Sequence, residues 1–303
     1  APAQRPHHAH RAAAHRGPHP ALWLLEDGDT KIYLFGTYHI LPHGFRWRTA
    51  RFDAIARSAD ELVIEVADID APETGSEARA ELRLGKNVPI LWRVSPDRRQ
   101  ALQDMVDDLG VPVERLDDMQ TWAVAMALAA VQIFRGMATD GDGHGGGNET
   151  ADRPADPTHR FPGVEGPLEA EFRASHRPVS GVETAGQQMR FFRVLTFAEQ
   201  RQLLEGIVDA YSAGMDMGSE GDIGQSEWVH GNVPAIARET EAMRGPLYDA
   251  LLRRRNAAWT DWLIHRLDRP GTLLFAVGAA HLAGPDSVRA MLAARGFRVR
   301  RIQ

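Results

Sequence analysis

A chain of 303 residues with 43% hydrophobic and 25% charged side chains has the material for a sizeable soluble core. Its formal charge of -6 argues against sequence-independent binding to nucleic acid, which draws its affinity from Lys and Arg. The absence of cysteine removes disulfides, thiolate metal sites and cysteine nucleophiles, and it leaves the redox compartment open.

Residues 1–20 mix His, Arg, Ala and Pro with few apolar side chains and read as a disordered, histidine-rich tail; residues 21–303 read as one domain. The opening Ala-Pro-Ala suggests a removed leader, and with it export to a periplasm or cell envelope. Nowhere does the chain approach the roughly 18 consecutive apolar residues of a spanning helix, the longest apolar stretch being 122–134.

From Ala21 two short apolar runs flank Asp27-Gly28-Asp29, a hairpin signal. The second run, Ile32-Tyr33-Leu34-Phe35, ends in Gly36-Thr37-Tyr38-His39. A helix is expected from about Thr49, with Phe52, Ile55, Ala56 and Ala59 on its inner face, then a buried strand ending in Glu65. A carboxylate there must be paired or metal-bound, because burial without a partner is costly. Ser95-Pro96 predicts a capped helix start, and 122–134 a buried helix. Residues 136–162 carry no pattern and read as a mobile lid or insertion, with His144 and His159 inside it. A helix over 167–175 precedes a short strand 179–182 that delivers Glu183 either to a loop or to a helix N-terminus. Helices follow over 196–213, 234–243 and 246–267, the last bearing Arg253-Arg254-Arg255-Asn256, of which at most one or two arginines can face a site. The final unit is a strand 272–277 ending in Gly278-Ala279-Ala280-His281, a helix 285–294 and a strand 297–302, arranged as a βαβ crossover.

Each Gly-x-x-His alone reads first as a tight turn with an incidental histidine. Two of them at strand carboxyl ends can meet across one crevice, where open α/β sheets collect their ligands.

The chain resembles the TraB/GumN family, which includes the Tiki proteases, over residues 21–303. The resemblance rests on Ala21-Leu22-Trp23, Leu34 through Pro42, Ala59 through Glu65, Arg177 through Thr184 with Gln188, Arg255-Asn256-Ala257-Ala258-Trp259 and Val277 through Gly284. It implies an α/β fold like that of the erythromycin-esterase/ChaN group: a mostly parallel sheet wrapped by helices, with a helical insert between its halves. It also implies a site built from His39, Glu65 and His281, supported by Arg255 and Asn256, with metal-dependent peptide hydrolysis. Glu183 and Gln188 match family positions. Glu165 stands where the family has Asp after Gly-Val or Gly-Leu, and Glu65-Val66-Ala67 where it often has Glu-Leu-Asp.

These readings predict a metal-dependent hydrolase, with His39, Glu65 and His281 holding one divalent ion (Mn, Co, Zn or Fe) and a position left for water. The nearest nitrogens of the two imidazoles should then lie roughly 3 to 5 Å apart. Glu183 is the expected proton acceptor, Arg255 the oxyanion donor and Asn256 their neighbour. Expected partners are a peptide or small-molecule substrate, with a homodimer left open. Two rival readings keep the histidines: a metal-free hydrolase with His39 as base oriented by Glu65, and a non-enzymatic haem or metal binder. A degenerate member acting through protein contacts is the third alternative.

Overall fold

The computed structural model describes residues 17–41, 44–67, 72–140, 163–214, 224–242 and 245–303. The tail up to residue 16 and residues 141–162, with His144 and His159, lie outside them.

The chain begins with the expected hairpin: β1 (Leu22–Glu26) pairs antiparallel with β2 (Thr30–Thr37) around a turn in which Asp27 Oδ1 accepts the Thr30 N–H at 3.0 Å. Thr49 caps α1 (Ala50–Ser58) by accepting the Phe52 N–H, and α1 leads to β3 (Glu61–Ile64). The helices α2 (Pro72–Leu82), α3 (Arg99–Asp108), α4 (Thr121–Asp140) and α5 (Glu165–Ala174) precede β4 (Val179–Gly181). Then come α6 (Ala185–Arg190), α7 (Phe197–Ser212), α8 (Val233–Ala242) and α9 (Arg254–Arg266). The strand β5 (Gly271–Gly278), helix α10 (Val288–Ala294) and strand β6 (Val299–Arg301) complete the chain.

Among the described residues these strands form one mixed six-stranded sheet in the order β4-β3-β5-β2-β1-β6. The ladders β4-β3, β3-β5 and β5-β2 are parallel; β1 alone runs against the other strands. This is an α/β architecture with a mostly parallel sheet flanked by helices. Side chains alternate across the central strands, so both faces are buried, as continuous apolar runs require. Leu22, Phe35, Leu62, Ile64, Leu274 and Ala276 pack with Phe52 and Ile55 of α1 and Leu168 and Phe172 of α5. On the other face Trp23, Leu34, Val63 and Phe275 meet Trp259 and Leu263 of α9 and Val288 and Leu292 of α10. A third core belongs to the helices inserted around β4: Leu102, Met105 and Val106 of α3, Val124 and Leu128 of α4, and Leu204 and Val208 of α7.

Four expectations need correction. Ser95 does not cap a helix: its N–H and hydroxyl donate to Glu205 Oε1 at 2.7 and 2.6 Å, and a 3-10 turn (Pro96–Arg98) precedes α3. Residues 17–20 are not part of a disordered tail, since the His19 N–H donates to the Val229 carbonyl and the Pro20 carbonyl accepts from Gln303. The patternless segment does not begin at 136, because α4 continues to Asp140. Finally, β6 does not lie beside β5: the order places β2 and β1 between them, and β6 pairs with β1. No helix among the described residues is long and apolar enough to cross a membrane.

Candidate functional site

The sheet order determines which strand ends become neighbours. Reading β4, β3, β5, β2 across the sheet, the residues just past their carboxyl ends are Glu183, Glu65, His281 and His39. Thr37 of β2 is in register with Gly278 of β5, so the two Gly-x-x-His turns leave the sheet side by side. The closeness explains the first glycine: a Cβ on Gly36 would stand 3.0 Å from Ala279 Cα. Glu65 and Glu183 leave adjacent strands together, the Glu183 N–H donating to the Glu65 carbonyl at 3.0 Å.

His281 sits in a 3-10 turn (Ala279–Leu282) and is buried against Trp259, ring centroids 4.3 Å apart. Its Nδ1 lies 2.6 Å from Asn256 Oδ1, while Asn256 Nδ2 donates to the Asp286 carbonyl at 2.8 Å. The amide orientation therefore makes Nδ1 a donor and leaves the Nε2 lone pair to accept from Arg255 Nη1 at 3.3 Å, with Glu65 Oε1 3.6 Å from the same nitrogen. Burial pushes the His281 pKa down to about 3, so the ring is neutral.

His39 has its Nδ1 2.8 Å from Glu165 Oε1 and its Nε2 4.0 Å from Glu65 Oε1. Glu165 also accepts a hydrogen bond from the Thr37 hydroxyl. The Glu165 charge raises the His39 pKa to about 9; the imidazole is 62% exposed, so water screens part of this attraction.

Glu65 is the hub. Its Oε1 accepts the Gly278 N–H at 2.8 Å, and its Oε2 accepts Arg255 Nη2 at 2.6 Å and Gln188 Nε2 at 3.2 Å. Burial alone would raise its pKa, but the surrounding His281, Arg255 and His39 hold it at about 2, with Arg255 the permanent charge among them. A Cβ on Gly278 would stand 3.1 Å from Glu65 Oε1, 3.3 Å from His39 Nε2 and 3.5 Å from His281 Cδ2. Only glycine leaves that space open.

Arg255 is the one arginine of its run that points inward. Its guanidinium bridges Glu65 and Glu183, donates to the Leu251 carbonyl at 3.1 Å, and places Nη1 3.3 Å from His281 Nε2. Arg253 and Arg254 pair instead with Asp249 on the surface. A π-helical turn (Asp249–Arg253) precedes α9 directly, so the helical run from Pro246 is interrupted just before Arg255 and Asn256.

All six expected site residues therefore meet: His39, Glu65, Glu183, Arg255, Asn256 and His281. Three roles change on the geometry. Glu183 is committed to Arg255 and to the Trp259 indole N–H at 3.3 Å, and burial pushes its pKa up despite Arg255. It does stand at a helix N-terminus, directly before Thr184, which caps α6. The Arg255 donors are likewise spent on the two carboxylates, the Leu251 carbonyl and His281, which corrects the picture of a free oxyanion donor. Nor does Glu65 orient His39: the carboxylate on its Nδ1 is Glu165, whose only sequence signal is its place after Gly163-Val164. The Gln188 contact to Glu65 accounts for the family position that it matches.

The donor chemistry suits a divalent ion. Two imidazole Nε2 atoms face one carboxylate oxygen, and each opposite Nδ1 is fixed by an oxygen acceptor, as in histidines that ligate metals. The spacing is more open than a cage; among the described residues no group of three or more His, Asp or Glu forms a metal-holding cluster as placed.

The model of the TraB/PrgY/gumN family matches residues 21–301. Two relatives carry the name uncharacterized protein YbaP, one from Escherichia coli strain K12 and one from Shigella flexneri. Each is 25% identical over 291 residues, covering 92% of this chain and 96% of the relative. No solved structure matches the chain.

Proposed function

As the chain belongs to the TraB/PrgY/gumN family, we propose that it is a hydrolase, acting on peptide bonds, whose site holds one divalent metal ion through His39, Glu65 and His281. The observation that carries this reading is that the Nε2 atoms of His39 and His281 both face Glu65 Oε1, at 4.0 and 3.6 Å. Mn, Co, Zn and Fe all accept two imidazoles and a carboxylate. A bound ion of this kind supplies a Lewis acid and lowers the pKa of a bound water.

The chain's own residues do the rest. Arg255 keeps Glu65 ionised and fixed, so that its Oε1 stays directed at the crevice. Asn256 holds His281 in the tautomer that leaves Nε2 unprotonated between Arg255 Nη1 and Glu65 Oε1, and burial keeps that ring neutral. His39 is the exposed member, its ring open to solvent and so to an incoming substrate. Glu183 shares Arg255 and balances its charge.

A second reading drops the metal and makes His39 a general base, favoured by its 2.8 Å contact with Glu165. Hydrolysis of a panel of peptides and esters, before and after chelation, separates the two. The metal reading predicts activity abolished by EDTA and restored by Mn(II), Co(II) or Zn(II); chelator-insensitive hydrolysis that still requires His39 selects the base reading.

A further inference from the structure

Three consecutive residues grip three others across the chain. Gly163 packs on the His39 backbone so closely that a Cβ there would stand 2.2 Å from the His39 carbonyl oxygen. The Val164 N–H donates to the Tyr38 carbonyl at 3.0 Å. Glu165 Oε1 takes both His39 Nδ1, at 2.8 Å, and the Thr37 hydroxyl. The loop carrying His39 leaves the sheet after Thr37, and His39 itself is 62% exposed, so burial does little to fix its ring. His281 differs: it is buried against Trp259 and held by a neutral amide.

We propose that residues 163–165 are a clamp that assembles the site, with Glu165 the positioning residue that selects Nε2 of His39 as the nitrogen facing Glu65. The proposal rests on reading His39 as a reacting or ligating imidazole, but its geometric core concerns the protein alone. A carboxylate on Nδ1 holds the proton there and turns the other nitrogen inward. Once the ring loses a proton, the tautomer with Nε2–H would give up the 2.8 Å bond and set a lone pair against the Glu165 carboxylate, so Nδ1 keeps its proton and Nε2 loses it. Thr37 then fixes the carboxylate through its hydroxyl. The role acts through His39, so Glu165 is not itself a catalytic residue.

The experiment uses the full-length, tag-free chain labelled with 15N. The wild type should show a low-field proton bonded to His39 Nδ1, assigned by its loss in His39→Gln. In Glu165→Gln that resonance should move upfield or exchange away, and in Glu165→Asp it should be partly retained. Affinity for Mn(II), titrated in parallel, should fall about 10–100-fold in Glu165→Gln with an unchanged circular dichroism spectrum. An unaltered resonance in folded Glu165→Gln, or no such resonance in the wild type, overturns the proposal. Should Glu165→Gln not fold, Thr37→Val decides: it removes only the hydroxyl on Glu165 and must shift the same resonance, and no shift overturns the proposal. A wild type that binds no Mn(II) but shows the Glu165-dependent resonance upholds the clamp and defeats the metal reading.

Discussion

At the scale of single residues, the arrangement turns on one buried cation shared by two buried carboxylates. Removing Arg255 leaves Glu65 and Glu183 buried without their partner, and breaking such a pair costs about 3–5 kcal/mol. Arg255→Met should therefore lower unfolding free energy by about that amount in urea, whereas Arg253→Met, on an exposed pair, should change it by less than about 1 kcal/mol. The same groups set a pH profile for chelated protein. His281 is held down to about 3 from 6.5, so its contribution is full above pH 6.5 and is lost as pH falls toward 3. Glu65, held down to about 2 from 4.5, contributes fully above pH 4.5 and loses its share as pH falls toward 2. His39 works the other way: raised to about 9, it contributes fully below pH 6.5, and that stability is lost as pH rises through 9. Stability in urea should thus be greatest near pH 6.5, fall on both sides, and fall less steeply on the alkaline side because His39 is exposed. In Glu165→Gln the alkaline decline should flatten; a wild-type profile rising steadily from pH 6.5 to 9 would contradict the assignment.

At the scale of elements, the two strand-to-turn transitions carry the site, and their glycines do different work. Gly36 makes room for the backbone of Ala279, whereas Gly278 keeps open the space among Glu65, His39 and His281. Gly278→Ala should weaken ion binding and abolish hydrolysis while shifting Tm by only a few degrees. Gly36→Ala should mainly lower stability, by about 1–3 kcal/mol, since two backbones must separate. Equal effects of both substitutions on ion affinity would count against a special role for Gly278. These transitions were legible in the sequence because continuous apolar runs stopped by glycine carry the signal locally. The β3 end was legible because a lone carboxylate interrupts such a run. Other features had no local signal. Glu165 lies 128 positions from Thr37, and its partner is visible only once the sheet is formed. The π-helical turn before Arg255 leaves the apolar periodicity of the helical run readable, so that stretch looked like one regular helix. Ser95-Pro96 looked like a cap, but a carboxylate from α7 competed successfully for the hydroxyl.

At the scale of the whole molecule, a mostly parallel sheet with both faces buried holds the site at the carboxyl ends of its parallel strands, and a separate helical core stands beside it. The order β4-β3-β5-β2 lays two acids and two histidines in a row; the chain order alone, in which β5 comes after β4, does not reveal it. Leu204→Ala, in the helical core, should cost about 2–5 kcal/mol and leave ion affinity unchanged within twofold. A comparable loss of affinity would show that the helical core supports the site directly.

The central claim is that His39, Glu65 and His281 form one ion site. Metal content and calorimetric titration of tag-free protein test it most directly, comparing wild type with His39→Ala and His281→Ala, both checked for folding. One divalent ion per wild-type chain, with binding lost in both variants, is the predicted result; undiminished binding in the folded variants, or none in the wild type, would contradict it.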